Sequence, residues 1–175
     1  MAQTFTASYQ GVTFVNNKPM AAIINSHASE VLKIRKVVCT NPQTSGVTGV
    51  VNQLDLRIYT TAPTFTTTVA GTLIEHDSTN TLPTTATYQS AASISGGILA
   101  GSIGRVFWSS DEPAVSVVTA DELQNYIPLN TLYEWQPHSD VQPITLRNGE
   151  CFLIFNVSVG TPAGTMDTYI TFTKE

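Results

Sequence analysis

From Val51 to Thr60 the chain alternates with period two. Leu54, Leu56 and Ile58 fall on one side of an extended backbone, and Gln53, Asp55, Arg57 and Tyr59 on the other. That pattern is the signature of a β-strand with one face packed inward and the other meeting solvent or a partner. Further strand-like segments occur at Met20–Asn25, Val31–Thr40, Arg105–Ser109, Leu129–Trp135, Ile144–Leu146, Cys151–Val159 and Met166–Thr173. Clusters rich in Gly, Pro, Asn, Ser and Thr separate them, such as 41–49 (NPQTSGVTG) and 160–164 (GTPAG). Eight or more short strands with turn chemistry between them and scant helix predict an all-β fold, an antiparallel β-sandwich or barrel. Long, unequal connections favour a jelly-roll-like sandwich with long loops over a meander. An immunoglobulin-like sandwich is the second choice, but its Cys…Trp…Cys spacing is far exceeded by Cys39 and Cys151.

At the amino end, Thr4–Tyr9 and Val12–Val15 flank Gln10-Gly11. Residues 1–17 therefore read as an extended N-terminal arm or a small hairpin, and residues 18–175 as one jelly-roll-like domain. Pro19 suits a strand start or an edge. Residues 61–104 are dominated by Thr, Ser, Ala and Gly with Pro63 and Pro83, which predicts long loops carrying short strands. Gly96-Gly97 within them reads as a flexible turn. Thr119 and Glu122 have capping-box spacing, and Pro128 limits any helix there to about two turns. The Asn148-Gly149 pair between Ile144–Leu146 and Cys151–Val159 is the strongest hairpin signal in the chain.

Charge narrows the function classes. Only 12% of residues are charged, and 13 acidic against 8 basic residues give a net charge of −5. An acidic chain with few, scattered cations argues against nucleic acid as the main partner. Lys33, Arg35 and Lys36 form the one basic cluster; on a regular strand Lys33 and Arg35 share a face and Lys36 takes the other, a solvated outer face or edge. No apolar run approaches the ~18 residues of a membrane span, and MAQTFTASYQGVTF shows no secretory signal pattern. Cys39 and Cys151 both sit in apolar strand-like segments and read as reduced core thiols, which suits synthesis in a reducing cytoplasm.

Candidate chemistry is sparse. Glu75-His76-Asp77 is the one run of ligand-type residues, and on a strand only Glu75 and Asp77 would share a face, so a solvated turn is the preferred reading. His27 and His138 have no neighbours that complete a zinc or two-His-one-carboxylate set. Asp111-Glu112 and Asp121-Glu122 border Pro or helix-start signals, where acidic residues have local reasons to be. No nucleophile elbow, phosphate-cradling Gly loop or Cys/His nucleophile pair is present. Asn156-Val157-Ser158 matches a glycosylation sequon but lies in an apolar strand. Trp108, Tyr126, Tyr133 and Trp135 are aromatic enough for a sugar platform, with core or interface packing the preferred reading. No catalytic, cofactor-binding or metal site is expected, and the chain is not read as an enzyme.

The stretches TSGVTGV followed by VNQLDLRIY, then IEHDSTNTLP, FWSSDEPAV, YIPLN and VQPITLRNGECFLIF, run in an order that resembles small virion-associated proteins of tailed bacteriophages, over residues 31–158. The resemblance implies a jelly-roll structural protein that coats or decorates a capsid or sits on a virion appendage, made in the host cytoplasm and located in the virion. It implies contacts with other virion proteins and with itself, a trimer or other symmetric ring being the simplest homo-oligomer. It carries no functional residues to transfer. The low-charge, hydroxyl-rich surface agrees, because hydroxyls and amides are cheaper to desolvate than charges. A glycan- or receptor-binding β-sandwich on a phage fibre or cell surface is the alternative, and a cupin-like metal site using His76 with Glu75 or Asp77 the third reading.

Overall fold

The computed structural model describes residues 2–40, 42, 50–66, 69–83, 85–89, 93–110, 131–158 and 164–175, with the backbone alone at 50–52, 86, 88–89 and 108–110. Every regular element among them is a β-strand: β1 (Gln3–Thr13), β2 (Lys18–Asn25), β3 (Leu32–Thr40), β4 (Val50–Thr61), β5 (Thr64–Phe65), β6 (Val69–Ala70), β7 (Thr72–Glu75), β8 (Thr85–Gln89), β9 (Ile94–Ser95), β10 (Ile98–Ser110), β11 (Thr131–Trp135), β12 (Ile144–Leu146), β13 (Cys151–Asn156) and β14 (Thr165–Lys174). All pairings are antiparallel. One six-stranded sheet runs β11-β3-β14-β1-β7, with β12 also on β3; a second runs β10-β4-β13-β2-β8-β6. The expected all-β, antiparallel class is what the chain adopts.

The two sheets share one apolar core. Phe5, Leu32, Ile34, Ile170 and Phe172 from the first sheet join Met20, Ile23, Leu54, Phe152 and Ile154 from the second. Alternation decides which residues enter it: on β14, Met166, Thr168, Ile170 and Phe172 are buried and the residues between them are partly open. Phe5 and Phe172 stack with ring centroids 5.7 Å apart. Tyr9 ties the sheets together, its hydroxyl donating to the Ala22 carbonyl at 2.7 Å. A Cβ on Gly71 would fall 2.5 Å from the Tyr9 ring, so this close approach needs glycine.

Several expectations change. Residues 1–17 are not an arm or a hairpin: Gln3–Thr13 is one strand lying between β14 and β7, with Phe5, Ala7 and Tyr9 wholly buried. Gln10-Gly11 is a bulge in its pairing with β14, and Gly11 at φ 63° supplies the left-handed residue. The expected hairpin across Asn148-Gly149 does not form either. Its turn exists, with Glu150 N–H donating to the Arg147 carbonyl at 2.9 Å, but β12 pairs with β3 while β13 pairs with β2 and β4. Gly149 has φ 78° whereas Asn148 keeps a negative φ. A two-residue hairpin of the I′ type needs both positive, and the turn formed instead splays its strands into different sheets.

The loop expected through Gly104 ends early, because the 13-residue β10 begins at Ile98. On β3 a bulge at Arg35, opposite Thr171 and Phe172, keeps Ile34 and Val37 both in the core. Lys33 and Lys36 are thereby brought to the same outer side, against the regular-strand expectation. The anticipated short helix at 119–128 lies outside the described residues.

The outer face of β4 also departs from expectation. Tyr59 is 5% and Asp55 3% exposed. A second, smaller apolar cluster of Ala22, Tyr59, Cys151, Leu153 and Phe155 covers that side of the sheet, with Phe65 of β5 and Ile94 of β9 packed on it. The β4–β10 connection thus roofs the sheet it leaves, and it adds β7 to one sheet and β8 and β6 to the other.

Candidate interaction surfaces

A polar cluster sits on the outer face where β4 meets β10. Asp55 lies directly opposite Arg105 across the strands. Arg105 donates through Nε to Asp55 Oδ1 at 2.6 Å and through its second amine to Oδ2 at 3.2 Å, a bidentate pair. Arg57 donates to Oδ2 at 3.2 Å, and its guanidinium lies 4.1 Å from the centroid of the Phe155 ring. The hydrogen bond from Arg105 holds the Asp55 carboxyl below the ordinary range; Arg57 adds to this, and burial opposes it. Beside the cluster β10 is open to solvent. Ile98, Leu99, Ile103 and Phe107 are all exposed, Phe107 at 66%, and among the described residues β4 is the only strand paired with β10. Sequence reading found Asp55 and Arg57 but not Arg105, because the cross-strand register that joins them is a tertiary fact.

Glu75-His76-Asp77 closes β7 at the other edge of the first sheet. All three are exposed, and they form a turn rather than a ligand set. Asp77 Oδ1 accepts from the Thr79 N–H at 2.9 Å and its hydroxyl at 2.8 Å, which lowers the Asp77 pKa. The His76 ring meets the Thr6 hydroxyl at 2.8 Å. Beneath lies a cavity of about 420 Å³ lined by Gln3, Thr4, His76, Asp77 and Asn80. Among the described residues no three His, Cys, Asp or Glu side chains stand together as a metal-binding group.

A larger cavity, about 630 Å³, opens beside β12 and is lined by Lys33, Gln142, Pro143, Thr145, Arg147 and Glu175. Lys33 forms an ion pair with Glu175, and Arg35 reaches the same carboxylate at 3.2 Å. The hydrogen bond from Lys33, with Arg35 behind it, lowers the Glu175 pKa. Lys36 pairs with Glu134 of β11 at 2.7 Å. Arg147 is exposed and has no ion pair among the described residues.

Comparison with protein-family models, curated proteins and solved structures finds no match to this chain. Its surfaces are therefore read from their own chemistry.

The remaining sequence candidates are soon placed. Tyr133 and Trp135 of β11 are half-buried and pack on the main core, so they do not form an open platform. Tyr126, Asp111-Glu112, Asp121-Glu122 and the Trp108 side chain lie outside the described residues. His27 accepts the Glu30 N–H on Nδ1 at 3.0 Å within the β2–β3 loop, and His138 lies exposed in the turn before β12. The sequon asparagine Asn156 is wholly buried, donating to the Val15 carbonyl at 3.1 Å and accepting from the Ser158 N–H at 3.0 Å, so the folded chain offers no glycan attachment there.

Cys39 and Cys151 are free and buried, in the main and the outer apolar cluster respectively. Burial pushes the Cys39 thiol up to about 12 and raises that of Cys151 as well. Neither thiol will react with a disulfide reagent at pH 8 in the native protein, and both will after denaturation; a fast native reaction at either would contradict this packing.

Proposed function

We propose that this chain is a non-enzymatic structural protein of a phage virion, a jelly-roll subunit that associates with itself and coats or decorates the capsid or an appendage. The observation that carries the reading is strand order. Set aside the small strands of the β4–β10 connection and take β11 and β12 as one strand interrupted. The chain then has eight strands, paired first with eighth (β1·β14), second with seventh (β2·β13), third with sixth (β3·β11/β12) and fourth with fifth (β4·β10). The third also pairs with the eighth and the fourth with the seventh. A long antiparallel ribbon rolled around one core would give this order, which supports the jelly-roll reading, an architecture used by capsid and lectin domains and cupins.

Fold alone does not choose among those functions. The virion role is supported by the resemblance over residues 31–158 and by the sparse charge. It is also supported by the exposed apolar side chains on β10, which among the described residues is an outermost strand of the kind that proteins otherwise protect from edge pairing. The simplest assembly is a trimer or other closed ring, with other virion proteins as further partners.

Absolute mass by light scattering across a concentration series tests the reading. A trimer or larger defined ring is expected; a monomer at every concentration would defeat self-association. Glycan or receptor binding is the second reading, favoured by the exposed Phe107 ring beside the half-open guanidinium of Arg105. It predicts that a sugar library perturbs the tryptophan fluorescence.

A further inference from the structure

We infer that Asn148-Gly149 is a spontaneous deamidation site that the fold holds shut, so that only molecules opened at the β12–β13 turn convert it, and do so one way. The inference stands apart from the virion reading and does not depend on it.

Asparagine followed by glycine is especially prone to this reaction, because glycine has no side chain to hinder its own backbone nitrogen. The nitrogen of Gly149 attacks the side-chain carbonyl carbon of Asn148. A C–N bond forms, the Cγ–Nδ2 bond breaks, and the Gly149 proton leaves with the amide as ammonia. Water then opens the cyclic imide at either carbonyl, leaving aspartate or isoaspartate. Nothing is oxidised or reduced. Asn148 is exposed, and a Cβ built on Gly149 would meet nothing within 4 Å, so crowding is not what stops the reaction.

The nucleophile is what the fold withholds. Gly149 N–H donates to the Asn25 carbonyl at 2.8 Å. Asn25 is wholly buried and grips the turn at two further points, its own N–H donating to the Glu150 carbonyl at 3.1 Å and its side-chain amide to the Leu146 carbonyl at 2.9 Å. From the other side Ala62 N–H donates to the Gly149 carbonyl at 2.7 Å. These bonds carry the β2 and β4 ladders past the start of β13 and fix both peptide planes of Gly149. A negative φ at Asn148 and 78° at Gly149, with Glu150 N–H on the Arg147 carbonyl, are the marks of a type II turn. To reach Asn148 Cγ, the Gly149 nitrogen must give up its bond to Asn25 and its plane must turn out of the ladder. Attack therefore waits for local opening, and its rate falls with the fraction of molecules open. Conversion to isoaspartate adds a methylene to the main chain between Asn148 and Gly149. That displaces Gly149 from two strands at once, so a converted molecule does not regain the native turn.

Native and urea-unfolded protein held side by side at pH 8 test this, with amide loss at Asn148 followed by peptide mass. The native rate should be about tenfold or more below the unfolded one, and the Gly149 amide proton should be protected from exchange. Equal rates would overturn the inference, as would an unfolded chain that keeps its Asn148 amide. A slow native rate with a freely exchanging Gly149 proton would also overturn it, since the bond to Asn25 would then not be the barrier. After urea is removed, isoaspartyl molecules should fail to recover the native melting transition. Asn148→Asp, which carries the same charge on an ordinary backbone, should melt as the wild type does. Isoaspartyl protein that also melts like the wild type would show that the turn accepts the longer chain, and conversion would not be one-way.

Discussion

A chain lacking residues 1–17 will not fold. β1 is hydrogen-bonded on both sides, to β14 and to β7, and removing it exposes both ladders. It also withdraws Phe5, Tyr9, Val12 and Phe14, each at most 2% exposed, from the main core. Four such side chains at about 1.5–3 kcal/mol apiece amount to roughly 6–12 kcal/mol. That matches the whole net stability of about 5–15 kcal/mol that a domain has to lose. The truncated protein should therefore be insoluble or show no cooperative melt and no native β-sheet dichroism. A soluble truncation with a cooperative melt would return these residues to the role of a detachable arm. Phe5→Ala is the graded version: it removes the ring stacked on Phe172 and should cost about 3–5 kcal/mol by denaturant titration, with the fold retained.

Asp55→Asn should be the most damaging single exchange on the outer face of the second sheet. It keeps the shape and removes the charge that two guanidinium groups share, leaving Arg57 and Arg105 facing one another across β4 and β10. Breaking a buried pair by removing one partner costs about 3–5 kcal/mol, but Arg105 is 59% exposed and water screens its share, so about 2–3 kcal/mol is expected. The pH dependence has a definite sign. Because the folded pKa of Asp55 is depressed, its contribution is fully present above the unfolded carboxyl value of about 3.9 and is lost as pH falls through the folded value. The stability gap between wild type and Asp55→Asn should hold from neutrality down to about pH 4 and close below it. A gap that is constant down to pH 2, or absent at pH 7, would show that the carboxylate is not what holds the two arginines.

Local chemistry was legible before any coordinates. Period two placed Leu54 and Leu56 inward and located the segments that became β2, β3, β4 and β14. Turn residues marked their ends, and the placing of Cys39 and Cys151 in apolar segments matched their burial. The candidate surfaces were legible only as residues. Glu75-His76-Asp77 stood out, as did Lys33 and Arg35, yet nothing local put one group at the β7 edge and the other beside β12. Arg105 could not be matched to Asp55, 50 positions away, without the β4·β10 register.

What the sequence by itself determined, then, is which residues extend, which of their faces are apolar and where the chain turns. These follow from side-chain alternation and backbone dihedral preference, which act over a few residues. Only the tertiary structure decided partnership. It paired β1 with β14 across the length of the chain, sent β12 and β13 into different sheets from one Asn-Gly turn, and folded the β4–β10 connection over Tyr59. The reason is that strands pair through backbone N–H and C=O groups that every residue except proline carries alike, so the ladder does not record its partner. The partner is the one that lets both sheets bury their apolar faces at once, and that condition exists only for the whole chain.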